Sequence, residues 1–580
     1  MLSQTANKLP AGAKCKTECV AEKTESSAQA AQVELRSCVQ GWECDSLSGK
    51  PLKIIRTIMQ KDAEKARELA LNRVTQLKMR KSISRRKLDS KQERWLDVHL
   101  IFKSLLSSQN FAKIISAVEA LKKLVALEPS DKISASGAHK FSQLYHKLAP
   151  HARHAVKTKL DKIWSTFHSG PCTSKLPCKT CIERRRMAAA QSAPVYVVGA
   201  GPAGLVAALR LVQLGVHVEI IEKRCFKKAT SRDQILVLRS NAVKAFKDSA
   251  IFLPSALGRS AKAQVTCRTC DIQLGYMRTL ALCGVPFHFG ATFNNDGKGT
   301  KSFTQAGVTT PLAKDSRVIL ANGVWHPDGP CGLLPPRAST QVKSQQVIRV
   351  AFRAVPQRPS QSAYVPSFEL AMGAQAPRGG KLLPKINSVA RPGEHVVETA
   401  LHLSIGEMCY LLLIVRKNKN EPTPEEVLRL TETLVRHGPE RHARCRNLKA
   451  IEMISATKFP YSIPRCLPSM SDKSRTLVAV GDRLFPGYWP HGTGIEKATV
   501  SGSIAAVAIA EHILHPTAGD SVWHAADSLF GVVKTEIEKD RLSRIRESAR
   551  RWTGSAASGF SAESVQTALQ KRPASAASVC

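Results

Sequence analysis

Residues 195–204 read VYVVGAGPAG, a short β-branched apolar run that leads into three closely spaced glycines. An apolar helical stretch comes next, and residues 217–222 (HVEIIE) then predict a second strand. Strand, glycine turn, helix and strand together make a β-α-β unit of about thirty residues. Gly199 permits the tight turn, Gly201 lets the backbone approach a pyrophosphate, and Gly204 lets the helix pack closely on the strand. The segment therefore predicts a dinucleotide-binding site.

Two further features of this unit indicate which dinucleotide fits. The helix begins at Pro202 and Ala203; Pro202 has no N–H, so the free N–H groups from Ala203 onward, with the positive end of the helix dipole, face the phosphates. Glu222 ends the second strand, where a carboxylate can accept hydrogen bonds from both ribose hydroxyls. A carboxylate at this position disfavours a 2′-phosphate, so the site suits FAD or NAD and not NADPH.

A second glycine-containing segment, residues 478–502 (VAVGDRLFPGYWPHGTGIEKATVSG), favours FAD over NAD. Gly481-Asp482 follows an apolar strand predicted over Leu477–Val480, and a long Ala-rich helix is predicted over Thr493–Leu514. Asp482 can then reach the ribityl or pyrophosphate part of FAD. The helix start near Gly494 can direct N–H groups at the pyrimidine edge of the flavin, where negative charge collects on reduction.

The remaining sequence predicts an α/β fold: a Rossmann-type FAD-binding lobe with a β-rich second lobe, preceded by an all-helical subdomain. Apolar residues from Trp95 onward recur at helical spacing, whereas Gln346–Ala354 and Met408–Val415 are strand-like. Asp271–Cys283 predicts another helix and Val285–Phe293 another strand. The expected divisions are a flexible basic extension (1–92), a helical subdomain and linker (93–190), the FAD lobe (191–296 and 465–518), a β-rich substrate lobe (297–464), and a basic helix near Val533–Arg551 with an unstructured tail (519–580).

The charge of the chain is strongly positive, with 86 Lys and Arg against 46 Asp and Glu. The excess is dense near residues 78–87 (KMRKSISRRK), and such a run attracts nucleic acid, acidic filaments, acidic protein surfaces or anionic lipid. An unfolded, solvated arm with at most a marginal helix near Asp62–Leu77 is the favoured interpretation, and a nuclear-import signal is the alternative.

Cysteine usage and hydropathy favour a reducing compartment. The chain has 16 cysteines, no recognisable signal peptide and no apolar run of membrane-spanning length, so we expect a cytoplasmic protein without a transmembrane segment, with the nucleus as the alternative. The pairs Cys178/Cys181 and Cys267/Cys270 lie far apart and lack matching His spacing. Ordinary thiols are therefore favoured over a zinc site, and no metal is predicted.

The late segment, with its Trp-Pro-x-Gly-Thr-Gly-Ile core at Trp489–Ile495, resembles the flavin monooxygenase domain of the MICAL family, within the wider group of aromatic-hydroxylase-like flavoproteins. The likeness runs from about Glu93 to His515 and is faint between Gly297 and Ile463. We expect only the catalytic part of that family, since no calponin-homology or LIM segment follows. Four other stretches share the likeness: Glu222–Arg224, Ser231–Leu238, Gln273–Val285 and Lys157–Trp164.

The resemblance implies an enzyme in which NADPH reduces FAD, the reduced flavin reacts with O2, and a target is oxidised. In the animal members of the family that target is methionine in actin, so an acidic partner such as actin filaments is implied, and the basic arm is equally compatible with nucleic acid. The implied roles, residue by residue, are as follows: Gly199, Gly201, Gly204, Glu222 and Arg224 hold the ADP half; Arg232, Gln273 and Asp482 line the phosphates and flavin; Trp489 lies beside the isoalloxazine; and Gly492, Thr493, Gly494 and Ile495 cover its pyrimidine edge.

Three departures from the family pattern keep alternatives open. The middle Asp-Gly motif corresponds to Asn322-Gly323 or is displaced to Asp328-Gly329, and the first is preferred. Asp233-Gln234 stands where a polar pair ending in asparagine is usual. Trp489 and His491 are the candidate catalytic residues. His491 replaces an apolar residue of the Gly-Thr-Gly turn and either tunes protonation close to the flavin or is structural, the second being favoured. A flavin-binding but catalytically silent interaction module and a small-molecule aromatic hydroxylase therefore remain as alternatives to the oxygenase.

Overall fold

The computed structural model describes residues 90–125, 137–152, 154–168, 193–232, 234–238, 243, 246, 265–295, 300–323, 339–356, 368–371, 397–405, 408–416, 422–437, 448–464, 466–467, 469–485, 494–514 and 520–535. The chain divides into two compact units, Met1–Pro336 with Leu467–Phe530, and Arg337–Cys466 with Gly531–Cys580. The basic run at 78–87, the helix expected near Asp62–Leu77 and the pair Cys178/Cys181 lie outside the described residues.

The first unit begins with a group of helices in which the apolar side chains expected to form a core are buried. Asn110 caps the second of them, because its Oδ1 accepts a hydrogen bond from the Ala112 N–H at 2.9 Å. Val98, Phe102 and Leu105 of the first helix are at most 1% exposed. The helices are α1 (Ser90–Ser107), α2 (Phe111–Leu124), α3 (Gly137–Leu148) and α4 (His154–His168), with a 3₁₀ turn at Ala149–His151 between the last two.

A five-stranded parallel sheet forms the centre of the first unit and confirms the predicted α/β fold class. Its strands are short and rich in β-branched or aromatic residues, as buried parallel strands usually are. The strands are β1 (Val195–Val198), β2 (Val218–Glu222), β5 (Phe287–Phe289), β9 (Val318–Leu320) and β15 (Leu477–Ala479). Their order across the sheet is β15-β9-β1-β2-β5, so later strands are added on one side of β1 and then on the other.

Helices and smaller sheets surround this parallel sheet. The helix after β1, α5 (Pro202–Gln213), is buried over nearly its whole length, as its uniformly apolar sequence requires. The other elements are α6 (Phe226–Ala229), β3 (Ile235–Leu238), β4 (Val265–Arg268), α7 (Thr269–Leu282), β6 (Ala291–Asn295), β7 (Lys301–Gln305), β8 (Val308–Pro311), a 3₁₀ turn at Gly481–Arg483, α9 (Gly494–Leu514) and a helix over residues 520–535, here α10.

Three boundaries in the first unit differ from the sequence expectation. The strand expected over Val285–Phe293 is two strands in different sheets, because Gly290 turns the chain with φ +75° between β5 and β6. The β-rich lobe, expected from residue 297, begins at Arg337, because β9 pairs with β1 inside the parallel sheet. The described helix over 520–535 begins before the basic helix expected near Val533–Arg551, whose residues from 536 onward lie outside the described part of the chain, and its residues up to Phe530 belong to the first unit.

The second unit is a five-stranded antiparallel sheet with one helix packed against it. The strand order is β11-β12-β13-β10-β14. The strands are β10 (Ser339–Pro356), β11 (Phe368–Ala371), β12 (Val397–Ile405), β13 (Met408–Arg416) and β14 (Leu448–Pro464), and the helix is α8 (Pro424–His437). The apolar side of α8, which includes Val427, Leu430 and Leu434, packs into one core with the sheet. This helix was not predicted, and two of the strands are longer than the short segments expected.

A search of the described residues finds no helix with the length and apolarity needed to cross a bilayer.

Candidate functional site

The glycine turn between β1 and α5 is packed so tightly that side chains are excluded at two of its glycines. Gly199 has φ +108°, and a Cβ there would lie 2.6 Å from the Ala321 carbonyl oxygen. A Cβ on Gly204 would lie 2.1 Å from the Gly199 oxygen. At Gly201, by contrast, the nearest atom to such a Cβ is 3.9 Å away. The first and third glycines are therefore required by packing, and the second leaves open space at the helix start.

Two side chains from other elements hold the peptide groups of Ala200, in the middle of this turn. The Ala200 N–H donates to Glu222 Oε2 at 2.8 Å, and Gln273 Nε2 donates to the Ala200 carbonyl at 2.8 Å. Glu222 comes from the end of β2 and Gln273 from α7, and both are buried. The turn is thus fixed from both sides before any ligand arrives.

A second turn, far along the sequence, lies directly against the first. Gly481 has φ +61°, and a Cβ on it would lie 2.6 Å from Ala203 Cβ in the first turn of α5. Its N–H donates to Ser501 Oγ at 2.9 Å, which ties the turn to α9. Asp482 Oδ1 lies 3.9 Å from the position of a Cβ on Gly494, so this carboxylate lies at the start of α9. The two glycine segments therefore meet at one edge of the sheet.

The edge where they meet has unfilled hydrogen-bonding capacity suited to a nucleotide. No side chain caps the first turn of α5, so its leading N–H groups remain available for phosphate oxygens. Gln273 Oε1 and Asn322 Oδ1 are both buried, and neither has a hydrogen-bond partner. Asn322 directly follows β9, and its Cα lies 3.1 Å from the position of a Cβ on Gly199. Orphaned acceptors of this kind match the hydroxyl and amino donors of a dinucleotide, so the residues present fit FAD.

Comparisons with known proteins agree with this geometry. Residues 192–243 match the family model described as "FAD binding domain". Over 252 residues the chain is 27% identical to the [F-actin]-monooxygenase MICAL1 of Bos taurus, a match covering 40% of this chain and 20% of that protein. The human protein of that name matches at 27% identity over 248 residues, with the same coverage. This part of the chain is similar to the flavin-dependent MICAL monooxygenases. Its match spans only a fifth of the length of those relatives.

Solved structures similar to the MICAL-like chain include "CtdE in complex with FAD", at 14% identity and TM-score 0.40, covering 60% of this chain and 91% of that one. The flavin-dependent brominase Bmp2 is similar at 15% identity and TM-score 0.41, covering 65% and 98%.

Electrostatics in the MICAL-like domain centre on a Glu222–Arg224 ion pair. Glu222 Oε1 accepts from the Arg224 backbone N–H and from Nε, and Oε2 accepts from Nη2 and from Ala200. Burial acts to raise the pKa of Glu222, but the hydrogen bonds and charge of Arg224, with the Ala200 N–H, lower that pKa below its usual value. Because both oxygens are already engaged, a ribose can reach Glu222 only if the Arg224 guanidinium gives up one of these bonds.

The other predicted residues of the MICAL-like site are placed unevenly. Ile495 is buried near the start of α9. Arg232 is exposed, and its carbonyl accepts from the Cys270 N–H at 3.3 Å at the start of α7. Asp482 is exposed at the meeting edge. Seven predicted or weighed residues of this site lie outside the described part of the chain: Asp233, Asp328, Gly329, Trp489, His491, Gly492 and Thr493.

The buried thiols near α7 show no ligand-like grouping. Burial, with smaller contributions from Asp271 and Cys270, raises the pKa of Cys267, which disfavours a thiolate. Within the described ranges, no three His, Cys, Asp or Glu side chains lie close enough together to hold a metal ion.

Two residues of the site escaped the sequence analysis. Ala321 supplies the carbonyl against which Gly199 closes, and Ser501 supplies the hydroxyl that holds Gly481. Neither residue belongs to a sequence motif. The sequence indicated only that Ser501 lies within the first two turns of α9, close to the predicted glycine turn.

Proposed function

We propose that this chain is an FAD-dependent monooxygenase or oxidase that uses NADPH and O2 and oxidises methionine in an acidic, actin-like protein. The observation that carries the proposal is the contact between Gly481 and Ala203, which brings the late glycine turn against the start of α5. The glycine fingerprint and the ribose-binding acid, which FAD and NAD sites share, both lie in the early β-α-β unit. A second turn in contact with the first suits a longer cofactor whose ring extends away from the phosphates.

The residues of the chain divide the work of binding. The first turn of α5 faces the pyrophosphate through its N–H groups. Glu222 receives the ribose hydroxyls once Arg224 releases a bond, and the orphaned oxygens of Gln273 and Asn322 accept from the cofactor. Asp482, at the start of α9, faces the ribityl chain. When bound, FAD supplies the redox chemistry, accepting a hydride from a nicotinamide and passing the electrons to oxygen.

Two observations favour an acidic filament as the target. The relatives are named as F-actin monooxygenases. The formal net charge of this chain is +40 at pH 7, which favours an acidic partner over a basic one. An acidic filament that presents accessible methionine satisfies both considerations.

The purified 580-residue chain tests the proposal in three steps. The protein should be yellow or become so on reconstitution with FAD, should oxidise NADPH, and should do so faster with filamentous actin. A peptide map of the actin should then show methionine sulfoxide. Gly199→Ala is the matched negative control, because its Cβ would lie 2.6 Å from the Ala321 oxygen, and Gly307→Ala controls for glycine loss at an open position. A colourless protein after reconstitution with excess FAD would overturn the proposal.

A catalytically silent flavin-binding module is the second candidate, and Asn322 is the observation that favours it. The resembled family has Asp-Gly where this chain has Asn322-Gly323, so a carboxylate is replaced by a neutral amide beside Gly199. A yellow protein that consumes no NADPH, with or without actin or phenols, would identify the silent module. Acceleration by phenols but not by filaments would identify an aromatic hydroxylase.

A further inference from the structure

Helix α10, over residues 520–535, has a buried stripe that faces the nucleotide-binding unit. Trp523, Ala526 and Phe530 recur at i, i+3 and i+7 and are 0%, 0% and 5% exposed. His524 and Ser528, on the other side, are exposed. None of these residues belongs to a glycine motif, and the predicted division of the chain placed them beyond the FAD lobe.

The first part of this stripe holds the segment that enters β15. The Arg475 guanidinium lies over the Trp523 ring, 5.7 Å from its centroid, and Arg475 also pairs with Asp520. Arg475 has φ +56°, a left-handed conformation that is uncommon for a residue with a Cβ. The loop around it closes on β15, because Asp472 Oδ1 accepts from the Leu477 N–H at 2.9 Å.

The second part of the stripe holds the segment that leaves β15. The rings of Phe530 and Phe485 pack with centroids 5.4 Å apart. Phe485 is tied to the late glycine turn, because its N–H donates to the Gly481 carbonyl at 2.7 Å. Phe485 is 2% exposed, so Phe530 covers a side chain that lies three residues from Asp482.

We infer that α10 is a positioning element for the FAD site: its stripe from Trp523 to Phe530 holds both ends of β15 and so fixes the turn Gly481–Arg483 against α5. That turn is also limited by Ala203 Cβ, and its Gly481 N–H is held by Ser501 Oγ. Without Phe530, Phe485 loses its cover and the turn can move away from α5. The inference rests on FAD binding at this site, and it assigns to α10 control over how tightly the cofactor is held.

The test compares Phe530→Ala with wild-type protein by two measurements that do not depend on turnover. The first is the Kd for FAD, from quenching of flavin fluorescence on binding to the cofactor-free chain. The second is amide hydrogen exchange in the peptide spanning 477–485. If the turn keeps its arrangement for only a tenth of the time, the apparent Kd rises roughly tenfold. Exchange in the same peptide should also become faster.

Controls separate positioning from general loss of stability. Phe102→Ala removes the same side chain from a fully buried position in α1, and its FAD Kd should stay within about twofold of wild type. Phe530→Leu should restore most of the affinity. Arg475→Lys keeps the charge but loses the planar contact with Trp523 in an intact core, and should raise the Kd roughly threefold.

The outcomes distinguish this inference from the proposed function. If wild-type protein binds no FAD, the proposed function fails, and exchange in 477–485 still reports whether Phe530 fixes the turn. If wild type binds FAD and the folded Phe530→Ala binds it equally well, the inference fails. Equal weakening by Phe102→Ala would also overturn it. If Phe530→Ala does not fold, the inference is tested with Arg475→Lys and Phe530→Leu instead. An FAD Kd equal to that of wild type in Arg475→Lys would count against the inference.

Discussion

Replacing Gly481 with alanine tests whether the two glycine turns fit against each other as the structure shows. The new Cβ would lie 2.6 Å from Ala203 Cβ, whereas carbon atoms pack at about 3.5–4.0 Å, so one turn has to move by about 1 Å. Overpacking of this kind costs about 1–3 kcal/mol. The left-handed backbone at φ +61° adds roughly 1–2 kcal/mol. We therefore expect Gly481→Ala to lower the free energy of unfolding by about 2–5 kcal/mol and to weaken FAD binding.

Urea unfolding and FAD titration measure these two effects, and Gly307→Ala is the matched control. Gly307 also has positive φ (+83°), but no atom lies within 4 Å of its Cβ position, so it should lose only the conformational part, about 1–2 kcal/mol. Ala203→Gly in the Gly481→Ala background removes the clash and should recover about 1–3 kcal/mol, judged against Ala203→Gly alone. Equal losses in the two glycine variants, or no recovery in the double variant, would refute the fit.

Three further substitutions probe the early turn. Glu222→Gln should cost about 1–3 kcal/mol at pH 7, because a charged hydrogen-bond acceptor is lost. The pKa of Glu222 in the folded protein lies below its unfolded value of about 4.3, so the stabilisation by Glu222 is present above that pH and is lost as the pH falls through the folded pKa. The urea midpoints of wild type and Glu222→Gln should therefore approach each other between pH 7 and 3, and an unchanged difference would contradict this prediction. Gln273→Leu leaves the buried Ala200 carbonyl without its donor and should lower the free energy of unfolding by about 1–3 kcal/mol. An unchanged urea midpoint would contradict this prediction. Asn322→Leu removes an oxygen that has no partner, so cofactor-free stability should change by less than about 1 kcal/mol while FAD titration shows weaker binding; unchanged affinity would show that this oxygen does not face the cofactor.

Elements with strong local patterns were predictable from the sequence. The β1–α5–β2 unit and α7 lie close to the predicted ranges because their apolar runs and glycines act over a few neighbouring residues. The membership of β9 was not predictable in this way. Its three residues are too short for a periodicity, and its place beside β1 is set by hydrogen bonds to residues more than a hundred positions away. Helix α8 carries local signals of its own, with Glu425 and Glu426 in its first turn and apolar residues at helical spacing, so a sequence prediction of this helix was possible.

The candidate site was predictable to the extent that it depends on motif residues. The positions of Gly199, Gly204 and Glu222 follow from backbone requirements that leave few alternative residue types. The saturation of Glu222 by Arg224 was not predictable, because the rotamer of a long side chain is decided by the donors and acceptors that folding brings near it. The same holds for Ser501, whose role depends on how α9 docks.

The pairing of β9 with β15 has a consequence for synthesis of the chain. Val318 is in register with Leu477, and residues Arg337–Cys466, which belong to the other compact unit, come between them. At translation rates of about 5–20 residues per second, β15 follows β9 off the ribosome by roughly 10–30 s. During that interval β9 is an unpaired edge strand, and unpaired edge strands can pair with strands of other chains and cause aggregation. Nascent chains that stall before residue 477 keep this unpaired edge. They also lack the turn Gly481–Arg483, which completes the proposed cofactor site.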